Sequence, residues 1–468
     1  MTTFADLGLP RALVDTLAQQ GMDSPFPIQS ATIPDVLAGK DLLGRAPTGS
    51  GKTLGFGLPM LARLGDKGVS RPGKPRGLIL APTRELATQI QERLDDLAAA
   101  LNLRTLAVVG GVNINNHIRQ LARPVDVLVA TPGRAQDLIN QGYLDLSQVE
   151  ITTLDEADQM ADMGFLPQVK KLLALTPARG QRLLFSATLD AAVEEVVNAY
   201  LHSPVEHSTA PVEAAVDTME HYVFYVGERP QRNDVVLTIA ARVGKTIMFM
   251  RTKHGVDRQT KKLRRNGINA LPLHGDKGQG ARTRAIEGFR DGSVPVLVAT
   301  DIAARGIDIS GVSLVVHVDP PAEHKAYLHR AGRTARGGES GTVVTLGMEQ
   351  QREEITQLLR KAGVDATVVE LSDSADPTHD PRLIEVTGAT TPPGTPLPAP
   401  GRQPPAGSAK SRKANSERQP GAKKPRQRGG GSKHGGSNNG GNRGRKKAAG
   451  SNRTNKRAGA DRKNPRRK

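Results

Sequence analysis

Short apolar runs occur in two separate series along this chain of 468 residues, and each series alternates with stretches of helical character. Short buried strands that alternate with helices are typical of a parallel sheet covered by helices on both faces. The first series comprises residues 41–44, 77–80, 125–130, 151–154 and 181–185, and the second comprises residues 246–250, 268–273, 294–299, 314–318 and 342–346. The sequence therefore predicts an α/β fold with two parallel-sheet lobes in tandem.

A linker and a tail complete the predicted organisation. The stretch from His207 to Asp217 is polar and poor in large apolar residues, as expected of a linker. Beyond Ser372 the chain becomes rich in Pro, then in Gly, Ser, Asn, Lys and Arg, a composition that predicts disorder. The predicted boundaries are 1–208 for the first lobe, 209–217 for the linker, 218–372 for the second lobe and 373–468 for a disordered basic tail.

Nearly all of the net positive charge lies in the tail. From Gly401 to Lys468 the chain has 22 Lys and Arg against Glu417 and Asp461, a net charge of +20, so the preceding 400 residues carry −2 of the total of +18. Such a polycationic arm binds nucleic acid by releasing counterions, whereas a merely solubilising arm is the alternative. Because no aromatic residue follows Gly401, we expect this arm to contact phosphates without reading base sequence.

The chain contains no cysteine, which excludes a disulfide framework and a thiolate metal site and fits a reducing cytosol. The amino-terminal residues lack a basic segment followed by an apolar run, so a secretory signal is not expected. No segment approaches the roughly 20 apolar residues that span a bilayer. We therefore expect a soluble, cytoplasmic protein without a membrane partner.

The most informative local pattern lies between a predicted strand and a predicted helix. It reads Ala46, Pro47, Thr48, Gly49, Ser50, Gly51, Lys52 and Thr53. The glycines allow backbone amides to approach phosphates, Lys52 can reach the β and γ oxygens, and Thr53 can bind Mg²⁺. A structural glycine-rich turn is the alternative, but such turns seldom end in Gly-Lys-Thr at this position. The pattern predicts a phosphate-binding loop for a nucleotide.

A hundred residues later, a short predicted strand ends in Asp155, Glu156, Ala157 and Asp158. Beside the phosphate loop in a parallel sheet, Asp155 is expected to bind Mg²⁺, partly through water, and Glu156 to orient or deprotonate the attacking water. Taken alone, the acidic run could be the start of a helix. Together with the loop, it predicts a hydrolase site in which Lys52, Asp155 and Glu156 are catalytic.

Asp155 to Asp158 spells the four letters that name the DEAD-box RNA helicases, and the sequence resembles this family from residue 4 to residue 336. The resemblance implies two RecA-like lobes that close on ATP and RNA, with RNA preferred over DNA through 2′-hydroxyl contacts. It also implies local, non-processive unwinding of RNA duplexes and remodelling of ribonucleoprotein. Core and tail together are most similar to the bacterial RhlE-type subgroup. Ribosomal or RNA-decay complexes are partners that this resemblance suggests.

The run from Pro25 to Gln29 resembles the family's adenine-recognising motif. By that resemblance Gln29 hydrogen-bonds the adenine edge, and Phe4 is the isolated upstream aromatic residue. Met22 stands where the family usually has an aromatic residue, a difference that can weaken ATP affinity without removing adenine selectivity. A surface position on a helix is the alternative for Gln29.

Several motifs follow predicted strands, where ligands bind in open parallel sheets, and by the same resemblance they contact the RNA backbone. Their candidate residues are Thr83, Arg84, Gly111, Thr131, Arg134, Arg282 and Thr300. Arginine supplies charge, while threonine hydroxyls and glycine amides can reach phosphate oxygens. Each first-lobe motif alone could be a helix cap. Together they predict a groove that follows the backbone of single-stranded RNA or a short duplex.

Three residues match the family's coupling motifs, which link hydrolysis to strand separation. They are Ser186 and Thr188 in the first lobe and His329 in the second. Small hydroxyl residues at a strand end can bond to nearby carboxylates and sense the γ-phosphate.

The second lobe also carries residues that resemble the family's nucleotide motifs. By that resemblance Gly306 and Asp308 approach the ATP ribose and phosphates, and Arg333 and Arg336 are arginine fingers that stabilise charge on the departing phosphoryl group. The two arginines would share a helical face if their segment is helical. Asp301 and Arg305 could form an internal ion pair, and no catalytic role is assigned to them.

Two rival functions are considered. The first is an ATP-gated RNA clamp or scaffold that hydrolyses slowly, and the second is an RNA annealer or condensate former driven by the tail. A DNA-translocating helicase with the same phosphate loop is disfavoured by the Gln29 motif and by Asp158.

Overall fold

A computed structural model describes residues 2–46, 49–65, 68–209, 219–304, 311–335 and 340–398. Five predicted site residues lie outside these ranges, namely Pro47, Thr48, Gly306, Asp308 and Arg336. Most of the predicted linker and the tail from residue 399 also lie outside them.

The first lobe alternates strands and helices along the chain. Its described strands are β1 (Leu42–Arg45), β2 (Gly77–Leu80), β3 (Thr105–Val108), β4 (Val127–Ala130), β5 (Ile151–Asp155), β6 (Gln181–Ser186) and β7 (Val205–Ser208). Its described helices are α1 (Arg11–Gln19), α2 (Pro27–Leu37), α3 (Lys52–Gly65), α4 (Arg84–Ala100), α5 (Ile114–Leu121), α6 (Pro132–Asn140), α7 (Ala157–Asp162), α8 (Leu166–Ala174) and α9 (Ala191–Tyr200), preceded by a 3₁₀ turn at Ala5–Leu7.

The second lobe repeats this alternation. Its described strands are β8 (Met219–Tyr225), β9 (Lys245–Phe249), β10 (Ala270–Leu273), β11 (Val296–Ala299), β12 (Val312–His317), β13 (Gly341–Gly347) and β14 (Thr367–Glu370). Its described helices are α10 (Arg229–Ala240), α11 (Lys253–Arg265), α12 (Gln279–Arg290), α13 (Asp301–Ala304), α14 (His324–Ala331), α15 (Arg352–Ala362) and α16 (Pro381–Thr387), with 3₁₀ turns at Glu349–Gln351 and Pro377–His379. None of the helices in the described ranges is long and apolar enough to cross a bilayer.

The two sheets share one topology. The strand order is β3-β4-β2-β5-β6-β1-β7 in the first sheet and β10-β11-β9-β12-β13-β8-β14 in the second. Every neighbouring pair is parallel. Each strand of the second sheet thus has the same position as its counterpart in the first sheet, with β8 equivalent to β1 and β14 equivalent to β7. The prediction of two parallel-sheet lobes in tandem is confirmed.

Each sheet has an apolar core on both of its faces because successive strand side chains point in opposite directions. In the first lobe, Leu42 and Leu183 join one buried cluster, whereas Leu43 and Leu184 join the cluster on the other face. Helices cover both faces, as parallel sheets require. The carboxyl edge of each sheet remains open to loops, and the predicted motifs occupy these loops.

Four strands were not predicted from the sequence. Two of them, β7 and β14, are edge strands with partly exposed side chains, so their sequences lack a continuous apolar run. The strand β7 includes His207, the first residue of the polar stretch that was interpreted as a linker. Its hydrogen-bonded pairing with β1 extends the first lobe to Thr209, whose N–H donates to the Arg45 carbonyl at 3.0 Å.

The predicted start of the disordered tail at residue 373 is wrong. Residues 373–398 are part of the second lobe, where Leu383 of α16 is fully buried with Leu371 and Ala389 in an apolar cluster. The Asp380 carboxylate caps α16 by accepting a hydrogen bond from the Arg382 N–H at 2.9 Å. A few well-spaced apolar side chains therefore order a segment whose overall composition is rich in Pro and polar residues.

After α16 the chain stays hydrogen-bonded to the second lobe up to Pro398. The Gly394 N–H donates to the Asn266 carbonyl at 3.0 Å, and the Leu397 N–H donates to the Arg264 carbonyl at 2.8 Å. The Arg264 guanidinium also donates to the Pro398 carbonyl at 2.6 Å. The chain that leads into the basic tail is therefore fixed at the carboxyl end of α11.

We expect Leu383→Ala to destabilise the second lobe by about 2–5 kcal/mol, because it removes a fully buried side chain and leaves a cavity. The adjacent Ile384 is 42% exposed, and Ile384→Ala should change stability by less than about 0.5 kcal/mol. Urea unfolding of both full-length variants measures the difference. Equal stabilities would contradict the assignment of residues 373–398 to the folded lobe.

Candidate functional site

The first-lobe motifs meet at the carboxyl edge of the first sheet. Register places Arg45 beside Ser186 and Asp155 beside Phe185, so β1, β6 and β5 end side by side. The Ala46 N–H donates to the Ser186 carbonyl at 3.1 Å. Because α3 begins at Lys52, the phosphate loop, the acidic motif and the first coupling motif lie next to one another.

Lys52 and Glu156 form an ion pair across this edge. The Lys52 Nζ lies 3.0 Å from Glu156 Oε1 and also donates to the Ala46 carbonyl at 3.0 Å. Both side chains are buried, at 5% and 3% exposure. Burial lowers the pKa of Lys52, but the charges of Glu156 and Asp155 outweigh this effect and leave the pKa above its ordinary value. The ammonium group is therefore charged at neutral pH.

Gln29 connects the adenine motif to the phosphate loop. Its side-chain Oε1 accepts a hydrogen bond from the Phe26 N–H at 2.9 Å, and its Nε2 donates to the Gly51 carbonyl at 2.9 Å. Gly51 has φ of +85°, and a Cβ there would lie 2.5 Å from Gln29 Nε2, so both the conformation and the contact favour glycine. Gln29 is 1% exposed and is not a surface helix residue. Its amide keeps one donor and one acceptor position for a ligand.

A cavity of about 880 Å³ extends from the adenine motif to the acidic motif. Its lining includes Phe4, Met22, Gln29, Gly49, Gly51, Lys52, Thr53, Asp155 and Glu156. Its volume is within the range of small-molecule and cofactor sites. A second cavity, of about 790 Å³, lies where β1, β5 and β6 begin and contains none of the predicted site residues.

Met22 contacts a charged side chain instead of lying free in the cavity. The Arg93 Nη2 lies 2.7 Å from the Met22 sulfur. Phe4 is only 3% exposed and packs in the core cluster that includes Leu42 and Leu183. The structure therefore brings the predicted adenine-binding residues Phe4 and Gln29 together with the phosphate loop around one cavity.

Glu156 has an unusual backbone conformation for a non-glycine residue, with φ of 54° and ψ of 53°. Residues in the left-handed region cost about 1–3 kcal/mol and persist where the surroundings hold them. Gln159 Nε2 donates to Glu156 Oε2 at 2.8 Å, while Lys52 holds the other oxygen. Both carboxylate oxygens are thus fixed in one orientation at the end of β5.

The neighbouring Asp155 has a different environment. Its Oδ1 is buried and has no hydrogen-bond partner among the residues that the structure describes. Burial raises the pKa of Asp155 to about 7, against the opposing charge of Lys52. The buried Ser50 Oγ likewise has no partner within the described ranges. Buried polar atoms without partners are rare and indicate a missing ligand, ion or water.

Asp158 is the centre of the predicted coupling residues. Its Oδ2 accepts hydrogen bonds from the Thr188 N–H at 2.9 Å and the Thr188 hydroxyl at 3.0 Å, and its own N–H donates to Ser186 Oγ at 3.2 Å. His329 of the second lobe lies with Nε2 3.8 Å from Asp158 Oδ2. Burial alone would raise the pKa of Asp158, but His329, Lys52 and Thr188 hold it well below its ordinary value. His329 thus lies close to the acidic motif, whereas its link to the Ser-Ala-Thr motif and its coupling role stay predictions.

A second contact joins the lobes close to this centre. Lys325 Nζ on α14 lies 2.7 Å from Asp190 Oδ2, and the two side chains are 27% and 24% exposed. Asp190 also caps α9, because its Oδ1 accepts a hydrogen bond from the Val193 N–H at 3.0 Å. Lys325 precedes His329 by one helical turn, so both side chains project from the same side of α14. The ion pair and the His329 contact thus connect the same two segments.

On the RNA-motif side, the lobes meet through a polar cluster. Arg282 Nε donates to Glu85 Oε1 at 2.9 Å, Gln279 Nε2 donates to the same oxygen at 3.3 Å, and Arg84 Nη1 donates to Gln279 Oε1 at 3.2 Å. Arg282 is 8% exposed. In this structure Arg282 therefore faces Glu85 instead of an open groove, and its contact with RNA stays a prediction.

Arg134 is fixed by two acceptors. Its Nη1 lies 2.8 Å from His117 Nδ1, and its Nη2 donates to the Val112 carbonyl at 2.9 Å. Since arginine cannot accept a hydrogen bond, His117 Nδ1 must be the acceptor. Burial and the charge of Arg134 lower the pKa of His117 to about 4. The imidazole is therefore neutral at neutral pH and holds Arg134 without adding charge.

Gly111 lies against Arg84 in the same loop region. Gly111 has φ of +73°, and a Cβ at this position would overlap the Arg84 guanidinium. Thr83 caps α4 by accepting a hydrogen bond from the Leu86 N–H at 3.2 Å. The remaining threonines, Thr131 and Thr300, directly follow β4 and β11. The predicted RNA-facing residues of the first lobe therefore share the carboxyl edge with the nucleotide site.

The segment around Arg333 is a turn where the structure describes it. The helix α14 ends at Ala331, and Arg333 lies in the following turn, where its Nε donates to the His329 carbonyl at 3.1 Å. A helical face shared with Arg336 was expected only if this segment is helical; that condition is not met at Arg333, and Arg336 lies outside the described residues. Asp301 pairs with Arg330, whose Nη2 donates to Asp301 Oδ2 at 2.9 Å. Arg305, the partner considered for Asp301, lies outside the described residues.

Sequence reasoning missed several residues of this site. His117, Asp190 and Lys325 belong to no motif that the sequence analysis singled out, and each acts through a partner distant in sequence. Glu85 and Gln279 were visible within the motifs, but their pairing across the lobes was not. Only the fold brings these residues together.

Comparison with known proteins gives matches over both lobes. The family described as DEAD/DEAH box helicase matches residues 26–196, and the family described as helicase conserved C-terminal domain matches residues 231–338. A chloroplastic DEAD-box ATP-dependent RNA helicase 3B of Zea mays is 42% identical over 77% of this chain. The chain spans about half of that relative, 49% of its length.

Bacterial and structural relatives agree. The DEAD-box ATP-dependent RNA helicase CshA of Geobacillus kaustophilus is 38% identical over 74% of this chain and 73% of its own length. The structure of Dbp5 of S. cerevisiae bound to RNA and ADP BeF3 is similar with a TM-score of 0.71 and 27% identity, covering 83% of this chain and 100% of that chain. The RhlE-type assignment within the family stays a prediction.

The Lys325–Asp190 pair predicts a measurable contribution to closure of the lobes. Lys325→Met and Asp190→Asn should each weaken RNA binding about two- to fivefold in the presence of a non-hydrolysable ATP analogue, as expected of a partly exposed ion pair. Asn keeps an oxygen that can cap α9. The double variant should bind no more weakly than either single variant. An interlobe role would be contradicted if the two substitutions lowered RNA affinity additively, or if each lowered it equally with and without the nucleotide analogue.

The buried His117 predicts a pH effect on stability. Its folded pKa of about 4 lies below the unfolded value of about 6.5, so its contribution is present above pH 6.5 and is lost as pH falls toward 4. His117→Gln, which keeps an acceptor for Arg134, should reduce the loss of unfolding free energy between pH 7 and pH 5. Urea unfolding at both pH values measures this, and His202→Gln at an exposed position is the control. If the free energy of unfolding of His117→Gln changes between pH 7 and pH 5 as much as that of the unchanged protein, the predicted role of His117 is wrong.

Proposed function

Because this chain belongs to the DEAD-box family of ATP-dependent RNA helicases, we propose that ATP binding closes its lobes on RNA and that hydrolysis reopens them, separating short duplexes locally without translocation. The observation that carries this proposal is the contact between the lobes at the nucleotide site. The acidic motif that ends β5 is paired with the phosphate loop on one side, and His329 of the second lobe lies 3.8 Å from Asp158 on the other. One conformational change can therefore couple both events.

In the proposed mechanism, ATP occupies the cavity between the adenine motif and β5. Gln29 offers its remaining amide donor and acceptor to the adenine edge. The Lys52 ammonium exchanges its contact with Glu156 for the β- and γ-phosphates, which compensates their negative charge. Gln159 keeps the Glu156 carboxylate in place, and the carboxylate oxygen released by Lys52 can then orient the attacking water.

Mg²⁺ is the proposed metal of this site. The residues fit it, because Asp155 Oδ1 is buried without a partner among the described residues and Thr53 lies at the first turn of α3 in the same cavity. Mg²⁺ is bound in nucleotide sites by few protein oxygens, with phosphates and waters completing the shell. When bound, the ion neutralises charge on the phosphate oxygens. Asp155 and Thr53 would hold it, partly through water.

The second lobe contributes to the reaction only in the closed form. We assign Arg333, together with Arg336, the role of compensating charge on the γ-phosphoryl group. Asp158 transmits the change, since Thr188 and His329 lie against its carboxylate and its own N–H donates to Ser186 Oγ. ATP and RNA should then bind cooperatively, because both favour the same closed arrangement.

RNA is the proposed partner, bound through its phosphate backbone. The arginine and threonine residues at the carboxyl edges suit hydrogen bonds and ion pairs with phosphate oxygens. The basic tail should raise the local concentration of RNA near the lobes. Ribosomal or RNA-decay complexes and a cytoplasmic location remain part of this proposal, and the absence of cysteine is consistent with a reducing compartment.

The test is ATP hydrolysis by the full-length protein with and without single-stranded RNA. Glu156→Gln should reduce RNA-stimulated hydrolysis at least about 100-fold, because it removes the group that orients or deprotonates water. Glu194→Gln, an exposed position on α9, is the control and should hydrolyse normally. Release of a labelled strand from a short duplex, compared with passive dissociation under saturating ATP, measures unwinding in the same samples.

Two results would contradict the proposal. If RNA binds but hydrolysis in the unchanged protein stays at the level of Glu156→Gln, the chain is a binding scaffold. If hydrolysis is stimulated but strand release never exceeds passive dissociation, the chain is an ATP-gated clamp instead of a helicase.

A further inference from the structure

The helix α11 (Lys253–Arg265) has a row of exposed basic side chains along one side. We use the name basic stripe for His254, Arg258, Lys261 and Arg265, which follow one another at intervals of four, three and four residues. This spacing places them on one face of an α-helix. All four side chains are exposed. The stripe extends for roughly 16 Å along the helix axis, from the 1.5 Å rise per residue.

The carboxylates closest to α11 form their ion pairs with cations outside the stripe. Asp257 is paired with Lys277 at 2.6 Å, and Asp276 with Lys253 at 2.6 Å. The other basic residues of α11 also have partners, since Lys262 lies 3.4 Å from Asp234 and Arg264 binds backbone carbonyls.

Within the described part of the chain, the stripe residues themselves form no ion pair. Like charges one turn apart on a helix repel each other, so the isolated stripe is slightly unfavourable by itself. A polyanion that lies along the helix would remove this repulsion and release its own counterions.

The position of α11 connects the stripe to the RNA-facing edge. The helix begins directly after β9, at the carboxyl edge of the second sheet. The Lys253–Asp276 and Lys277–Asp257 pairs fix its first turns to the loop that precedes Gln279. Gln279 and Arg282 then contact the first lobe through Glu85. One end of the stripe therefore lies near the edge where the two lobes meet.

The other end of the stripe lies where the basic tail begins. Arg265 is the last residue of α11, and the adjacent Arg264 holds Pro398 through its carbonyl. The 70 residues that follow Pro398 include the segment with a net charge of +20. The stripe is thus positioned between the predicted RNA groove and the attachment point of the tail.

We propose that the basic stripe of α11 binds the phosphate backbone of the RNA strand that leaves the interlobe cleft. This inference rests on the proposed function, since it assigns a further surface to the same RNA. The helix has no Phe, Tyr or Trp on which bases could stack, so the stripe contacts phosphates without preference for base sequence.

The experiment compares the full-length protein with the triple variant Arg258→Gln, Lys261→Gln and Arg265→Gln. RNA affinity is measured for a short single strand that fills only the cleft, and for the same strand extended stepwise at its 5′ end or at its 3′ end. The variant should lose about tenfold in affinity for strands extended at one of the two ends. Its plot of log affinity against log salt concentration should be shallower by about 2, as expected for three lost phosphate contacts with a single strand.

A matched variant controls for net charge. Arg11→Gln, Lys171→Gln and Arg179→Gln remove the same charge from exposed positions of the first lobe and should leave the affinity for extended strands unchanged. Thermal unfolding of both variants confirms their folding. Hydrolysis stimulated by the short strand should be equal in all three proteins, which separates a failure of this inference from a failure of the helicase function.

Three outcomes with single-stranded RNA would overturn the proposal. In the first, the matched variant loses as much affinity for extended strands as the triple variant. In the second, the triple variant loses as much affinity for the short strand that fills the cleft as for the extended strands. In the third, the affinity of the triple variant is unchanged for strands extended at the 5′ end and for strands extended at the 3′ end. A loss that appears only when the extension is double-stranded would also overturn it, and would assign the stripe to duplex RNA.

Discussion

The buried ion pair between Lys52 and Glu156 fixes the geometry of the nucleotide site. It connects two segments 104 residues apart in sequence, the phosphate loop and the end of β5. Because each charge is removed from water, loss of either partner leaves an uncompensated charge that costs about 3–5 kcal/mol. The pair also helps to hold Glu156 in the left-handed conformation. The loop, the strained residue and the neighbouring Asp155 therefore depend on one another.

The two lobes use one strand order for different chemical purposes. In the first lobe, the segment after β1 is a phosphate loop. In the second lobe, the equivalent segment after β8 is Val226, Gly227 and Glu228, which leads into α10 without such a loop. The second lobe instead presents His329 and Lys325 from α14 toward the first. Under the proposed mechanism, the nucleotide site is complete only when both lobes contribute to it.

Much of this organisation was predictable from the sequence because its signals are local. The phosphate loop and the acidic motif each combine a short apolar strand with characteristic residues at its end, so both the strand and the chemistry are visible in one stretch. The edge strands β7 and β14 lack that signal because they are only half covered. The order of segment 373–398 was missed because Leu383 and a few other apolar side chains determine its packing. Its average composition, rich in Pro and polar residues, does not reveal these few positions. The Lys325–Asp190 and Arg134–His117 contacts could not be predicted, since neither has a periodic or motif pattern.

The interlobe contacts described above are made by charged and amide side chains, including Lys325 with Asp190 and Arg282 with Glu85. Burial of apolar surface gives association its large negative heat-capacity change, and contacts of this polar kind contribute little to it. Hydration can replace such contacts when the lobes separate, whereas an apolar interface would leave an exposed patch prone to aggregation. If the lobes open after every turnover, as proposed, a polar interface that water can hydrate makes their separation reversible.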